Sequence, residues 1–107
     1  MVTEGNHEEA AMAINITLAN FTEQGIKGIK DSPQRAKAFR ELAKKHGVTV
    51  RELYWTVGKY DLVTITEGTD EAITTLLLSV AKLGNVRTQT LRAMDEEMFK
   101  RVLDKVG

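Results

Sequence analysis

A chain of 107 residues holds one domain and can bury enough apolar surface to fold without covalent staples. It contains no cysteine, which excludes disulfides, thiolate metal ligation and cysteine nucleophiles and fits a reducing compartment. Lysine plus arginine and aspartate plus glutamate number 15 each, so the basic excess that phosphate neutralisation demands of a general nucleic-acid binder is missing.

Residues 1–13 include Glu4, His7, Glu8 and Glu9 and lack the basic-then-apolar order of a leader. They read as a flexible extension ahead of a domain spanning 14–107. No apolar run approaches the ~20 residues that a membrane helix needs, so neither a membrane nor a nucleic acid is expected as partner. The expected location is cytoplasmic.

From Ile14 to Asn20 apolar residues alternate with small or polar ones, the period of a half-buried strand. Thr22 then caps a short helical turn carrying Ile26 and Ile29, weakened by Gly25 and Gly28. Asp31-Ser32-Pro33 restarts the helix, with Ser32 as cap and Pro33 at a position where its missing N–H is harmless. Ala36, Phe39, Leu42 and Ala43 give this helix its buried side. Lys44, Lys45 and His46 suit its negative end, and Gly47 stops it. Val48 to Val57 reads as a second strand with Leu53, Trp55 and Val57 on one side, although its phase shifts between Val50 and Leu53. After the turn Gly58-Lys59-Tyr60-Asp61, Leu62 to Glu67 forms a third strand. Gly68-Thr69-Asp70 leads into a helix whose stripe is Ile73, Leu76, Leu77, Val80 and Leu83. Gly84-Asn85 ends it, Val86 to Met94 is a fourth strand, and Asp95 opens a last helix with Phe99, Val102, Leu103 and Val106 as its buried edge.

Strands and helices in this order, β-α-β-β-α-β plus a terminal helix, predict an α+β ferredoxin-like sandwich with both crossover helices on one sheet face. The other face would then lie open. Thr17, Thr56, Thr64, Thr66, Thr88 and Thr90, with Asn15, Ala19 and Tyr54, are assigned to it, although the phase shift in the second strand leaves single positions open. A face so poor in charge suits burial against a second sheet. Threonine's preference for strands explains the same residues without any burial.

The segments Tyr54-Trp55-Thr56-Val57, Gly58-Lys59-Tyr60-Asp61, Leu83-Gly84-Asn85-Val86-Arg87-Thr88 and Thr90-Leu91-Arg92-Ala93 resemble the GYD domain family. Phe21 to Lys27 and Asp31 to Arg35 resemble its first helical region, so the likeness runs from about Ile14 to Leu103. The resemblance implies a dimeric α+β barrel, in which two ferredoxin-like domains pack sheet to sheet as a homodimer or within a larger homo-oligomer. It brings no catalytic residue and no cofactor.

Candidate ligand-binding residues are Tyr54, Trp55, Tyr60, Asp61, Asn85 and Arg87. Tyr60 and Asp61 could stand at a pocket mouth or serve the turn alone. Arg87, near Asn85, could meet a carboxylate or phosphate, or pair with Asp61 or Glu67. Tyr54 and Trp55 face opposite sides of one strand, so one suits the core and the other a cavity. His46 lacks companion ligands, since the only other histidine is His7. The RNA-recognition fold shares this element order but stacks bases on aromatics of the first and third strands, and Ile14–Asn20 and Leu62–Glu67 hold none. Two functions stay open. One is a non-catalytic oligomeric module that binds a small ligand or a protein partner. The other is a cofactor-independent enzyme, monooxygenase- or isomerase-like, that uses Asn15, Trp55, Tyr60 and Arg87 to orient a small aromatic or carbonyl compound.

Overall fold

The computed structural model describes residues 12–107. Strand β1 (Met12–Phe21) is followed by helix α1 (Glu23–Lys27), a 3₁₀ turn (Ile29–Asp31) and helix α2 (Ser32–Lys45). Then come β2 (Thr49–Trp55), β3 (Leu62–Thr69), α3 (Asp70–Ala81), β4 (Val86–Ala93) and α4 (Glu96–Leu103). The strands form one antiparallel sheet in the order β2-β3-β1-β4, with α2 and α3 as crossovers on the same face. This is the ferredoxin-like arrangement that the order of elements predicts. The expected extension at residues 1–11 lies outside the described residues, while Met12 and Ala13 already belong to β1.

Local chemistry accounts for most of the boundaries. The hydroxyl of Thr22 accepts from the Gly25 N–H, that of Thr69 from Ala72, and the Asp95 carboxylate from Met98, so α1, α3 and α4 each start on a side-chain cap. Gly47 and Gly84, at φ of 75° and 85°, take the left-handed conformation that ends α2 and α3. Ser32 departs from expectation. The capping position of α2 is Asp31, which makes no side-chain cap bond, and Ser32 is the helix's first residue. Its hydroxyl serves Trp55 instead.

The phase shift in β2 is real: its register with β3 slips between Val50 and Glu52. A bulge adds one residue to one strand and reverses the facing of everything beyond it. After it, Leu53 and Trp55 stand opposite Thr64 and Leu62, and Tyr54 points the other way, opposite Val63. The strand stops at Trp55, two residues before its expected end, and Val57 is fully exposed.

The faces of the sheet are assigned differently from the sequence expectation. On β1 the side toward the helices carries Ala13, Asn15, Thr17 and Ala19, all buried. Opposite them on β3 and β4 lie Thr64, Thr66, Thr88 and Thr90. The weakly polar residues therefore sit under α2 and α3, with Tyr54 on the open face and Thr56 beyond the end of β2. The open face is the aliphatic one. It presents Ile14, Ile16 and Leu18 beside Val63 and Ile65 on one flank and Leu91 and Ala93 on the other. Alternation divides a strand into two sides but does not label the side that helices will cover.

The core gathers at one end of the sandwich. Ala43, Val48, Ile73 and Leu76 are buried there, with Phe39, Leu42, Val50, Ala72, Leu77 and Val80 packed against them. The edge of α4 expected to be buried is not: Phe99, Val102, Leu103 and Val106 are all exposed. Within the described residues of a single chain, no other element packs extensively against α4.

Candidate functional site

The two crossover helices do not close fully on the sheet. Beside the core they leave a cavity of about 190 Å³. Its roof is Ala36, Phe39 and Leu42 of α2 with Leu77 and Val80 of α3, and its floor is Thr17, Ala19, Leu53, Leu62, Thr64 and Thr88 of the sheet. Helix α2 thus divides its work along its length, since Ala43 near its end serves the core while Ser32, Arg35 and Ala36 face the cavity.

The rim is held by hydrogen bonds between elements distant in sequence. Helix α1 is tied to the α3–β4 loop, because the Thr22 N–H donates to the Asn85 carbonyl at 3.0 Å and the Thr22 hydroxyl to the Gly84 carbonyl at 2.6 Å. The Gln24 amide nitrogen adds bonds to the Leu83 carbonyl at 3.0 Å and to Asn85 Oδ1 at 2.9 Å. From α2, the Arg35 guanidinium donates to the carbonyls of Gly28 and Gly25 at 3.0 and 3.2 Å. On the β2 side the indole N–H of Trp55 donates to Ser32 Oγ at 2.9 Å.

Of the six residues singled out from sequence, Asn85 lines the cavity. Trp55 stands beside it and reaches it through Ser32. The other four lie elsewhere. Asp61 latches the β2–β3 hairpin to β1: its Oδ2 accepts from the Phe21 N–H at 2.9 Å, and its own N–H donates to the Ala19 carbonyl at 2.9 Å. Tyr60 donates from its hydroxyl to Gln89 Oε1 at 3.2 Å, its carbonyl accepts from the Thr56 hydroxyl, and Lys59 lies over its ring. Tyr54 projects from the open face, where the Glu52 carboxylate accepts its hydroxyl at 2.7 Å. That bond, with the negative charge behind it, holds the phenol pKa above its ordinary value of 10.0. Arg87 opposes Asn20 on the side of β4 that faces away from the cavity, and no ion pair joins it to Asp61 or Glu67 among the described residues.

Several cavity residues carried no mark in the sequence. Arg35, Ala36 and Leu77 look like any helix stripe, and Thr17 and Thr64 like any strand threonine. Only the packing of two helices over a floor of small side chains makes them a site. Small residues on β1 (Ala13, Asn15, Thr17, Ala19) leave room that Leu or Ile would fill, and that run was readable as a signal.

The cavity is chemically quiet. Among its lining residues Arg35 is the one ionisable group, and a guanidinium neither gives up its proton nor accepts a hydrogen bond. Among the described residues no cluster of three His, Cys, Asp or Glu side chains is placed to hold a metal ion, and no helix is long and apolar enough to cross a membrane. The arrangement can enclose an apolar molecule and offer it neutral hydroxyl and amide groups.

A ferredoxin-like sandwich with an open aliphatic sheet face and a cavity under its helices is the class that the fold defines. The sequence profile of the GYD domain matches residues 15–103, and the chain belongs to that family. No curated protein and no solved structure matches the chain.

Proposed function

We propose that this GYD domain is a non-catalytic binding module that works as a homodimer and holds one small, largely apolar molecule under the helices of each copy. The observation that carries the reading is the cavity itself, about 190 Å³ and walled by Phe39, Leu42, Leu77 and Val80 over a floor of small side chains. An apolar cavity of about 150 Å³ stays dry and accepts benzene, so a monocyclic compound is the right size here. The dimer is supported by the aliphatic open face, because a face of Ile14, Ile16, Leu18, Val63 and Ile65 is of the kind that packs sheet on sheet. The enzymatic alternative gains no observation of its own, since Tyr60 and Arg87 stand outside the cavity and no proton-transfer group lines it.

The test is a titration of the ¹⁵N-labelled protein with toluene, followed by amide shifts in two-dimensional NMR. Shifts gathered at Phe39, Leu42, Leu77 and Val80, and lost when Leu77→Trp fills the space, are the expected result. A wild-type protein whose amides at these positions do not respond to any monocyclic aromatic would overturn the reading.

A further inference from the structure

Arg35 is the one charged residue that lines the cavity, and it is half-buried. Among the described residues no acid forms an ion pair with it. Asp31, four residues earlier, is exposed and does not line the cavity. Of the five guanidinium N–H groups, two donate to the carbonyls of Gly28 and Gly25. The other three have no acceptor among the described residues. Holding a charge partly out of water is costly unless a counter-charge offsets it. Two carbonyls need donors and not a cation, so the clasp with α1 leaves the charge itself unexplained.

A second donor stands one turn away. Ser32 is 5 % exposed and also lines the cavity. Its oxygen accepts the Trp55 indole N–H at 2.9 Å, and its own hydrogen donates to no group among the described residues. Residues three apart on a helix are neighbours on one face, with about 5–6 Å between their Cβ atoms. Ser32 and Arg35 therefore bring a hydroxyl and a guanidinium to the same margin of the cavity. Both belong to the opening turn of α2, whose positive end favours a negative charge as well. No carboxylate lines the cavity to neutralise the pair.

We propose that Arg35 and Ser32 form the anion-binding end of the cavity and together hold the carboxylate of a small aromatic acid. The ring of that acid lies against Phe39, Leu42, Leu77 and Val80. A carboxylate offers two acceptor oxygens in one plane, which suits a guanidinium fork with a hydroxyl beside it. It also supplies the counter-charge that Arg35 lacks. This rests on the reading that the cavity takes a ligand at all, and it narrows that ligand from any monocyclic compound to one that carries a carboxylate.

Benzoate and benzamide have nearly the same shape and differ in charge, while toluene keeps the ring alone, so titrations with the three isolate the part of the anion. Wild-type protein is expected to bind benzoate about tenfold more tightly than benzamide, the worth of a hydrogen bond to a charged group. In Arg35→Met, which keeps an unbranched stem and removes the charge, that preference disappears while toluene binds as before. The Arg35 guanidinium signals of the wild type supply a readout that needs no variant: they shift with benzoate and hold still with toluene. Equal affinities for benzoate and benzamide in the wild type overturn the anion site and leave the binding cavity standing. So do guanidinium signals indifferent to benzoate, or a preference that survives Arg35→Met. Failure of all three probes to bind overturns the cavity reading and the anion site with it.

Discussion

At the residue scale, two glycines three residues apart have opposite reasons to exist. Gly25 is buried inside α1, where glycine is normally a cost, because it has more backbone freedom to lose than any other residue. Here a Cβ would run into the backbone carbonyl of Asn85, and both groups are fixed by the bonds that tie α1 to the α3–β4 loop. Backbone has no rotamer with which to step aside. Gly28, three residues on, has an ordinary φ of −100°, and the nearest atom to its missing Cβ is the flexible end of Arg35 at 3.4 Å. Gly25→Ala is therefore expected to cost about 2 kcal/mol, as overpacking against fixed atoms does. Gly28→Ala should stay within about 0.5 kcal/mol of wild type. Urea unfolding of the two variants side by side checks this. Equal effects would show that the clasp between α1 and Asn85 is loose.

At the scale of elements, the turn Gly58-Lys59-Tyr60-Asp61 acts as a joint. Asp61 receives the Phe21 N–H and donates its own N–H to Ala19, so the tip of the β2–β3 hairpin is bolted to the end of β1 where the cavity begins. Tyr60 makes one hydroxyl bond at 3.2 Å on the outside. Removing an acceptor that holds a part-buried N–H is expected to cost about 1–2 kcal/mol, so Asp61→Ala should lower the urea midpoint clearly. Tyr60→Phe should leave it within error, since an exposed hydroxyl exchanges its partner for water. The opposite order would mean that the turn is anchored by its aromatic ring rather than by its acid. This joint also shows what the sequence could and could not disclose. Gly and Asp announced a turn through local backbone chemistry, but the partner of Asp61 lies 40 residues away, and no spacing rule reaches that far. Helices behaved likewise: Thr22, Thr69, Asp95, Gly47 and Gly84 fixed ends that depend on their neighbours alone. The shift of phase in β2 was legible as well, because a bulge leaves its mark in the alternation of that strand. Asn85 was legible as a candidate through its place near Arg87 at the start of the last strand, whereas Arg35 and Leu77 enter the cavity by tertiary packing that no local pattern encodes.

At the scale of the molecule, the consequential misreading was which side of the sheet the helices cover, and the corrected arrangement gives a stronger argument for pairing. Threonines on an open face could be solvated at little cost. Ile14, Ile16, Leu18, Val63 and Ile65 on that face are incompletely buried, Leu91 is 43 % exposed, and the apolar edge of α4 is exposed too. Contiguous apolar surfaces generally mark interaction sites, which supports the proposed pairing. Charge is sparse at its centre and gathers toward its margins, at Glu52, Glu67 and Arg87, which is the layout of an apolar patch with a polar rim. The proposed second copy meets it with the same patch about a two-fold axis. Ile16 lies on central β1, between Ile65 and Leu91, so a charge there would be buried in the pair and hydrated in the single chain. Wild type is expected to sediment as a dimer, and Ile16→Lys as a folded monomer whose sedimentation coefficient no longer depends on concentration. The cavity lies on the opposite face and should still take its ligand in that monomer. Wild-type protein that sediments as a monomer at all concentrations would remove the homodimer and direct attention to a different protein that covers the aliphatic sheet.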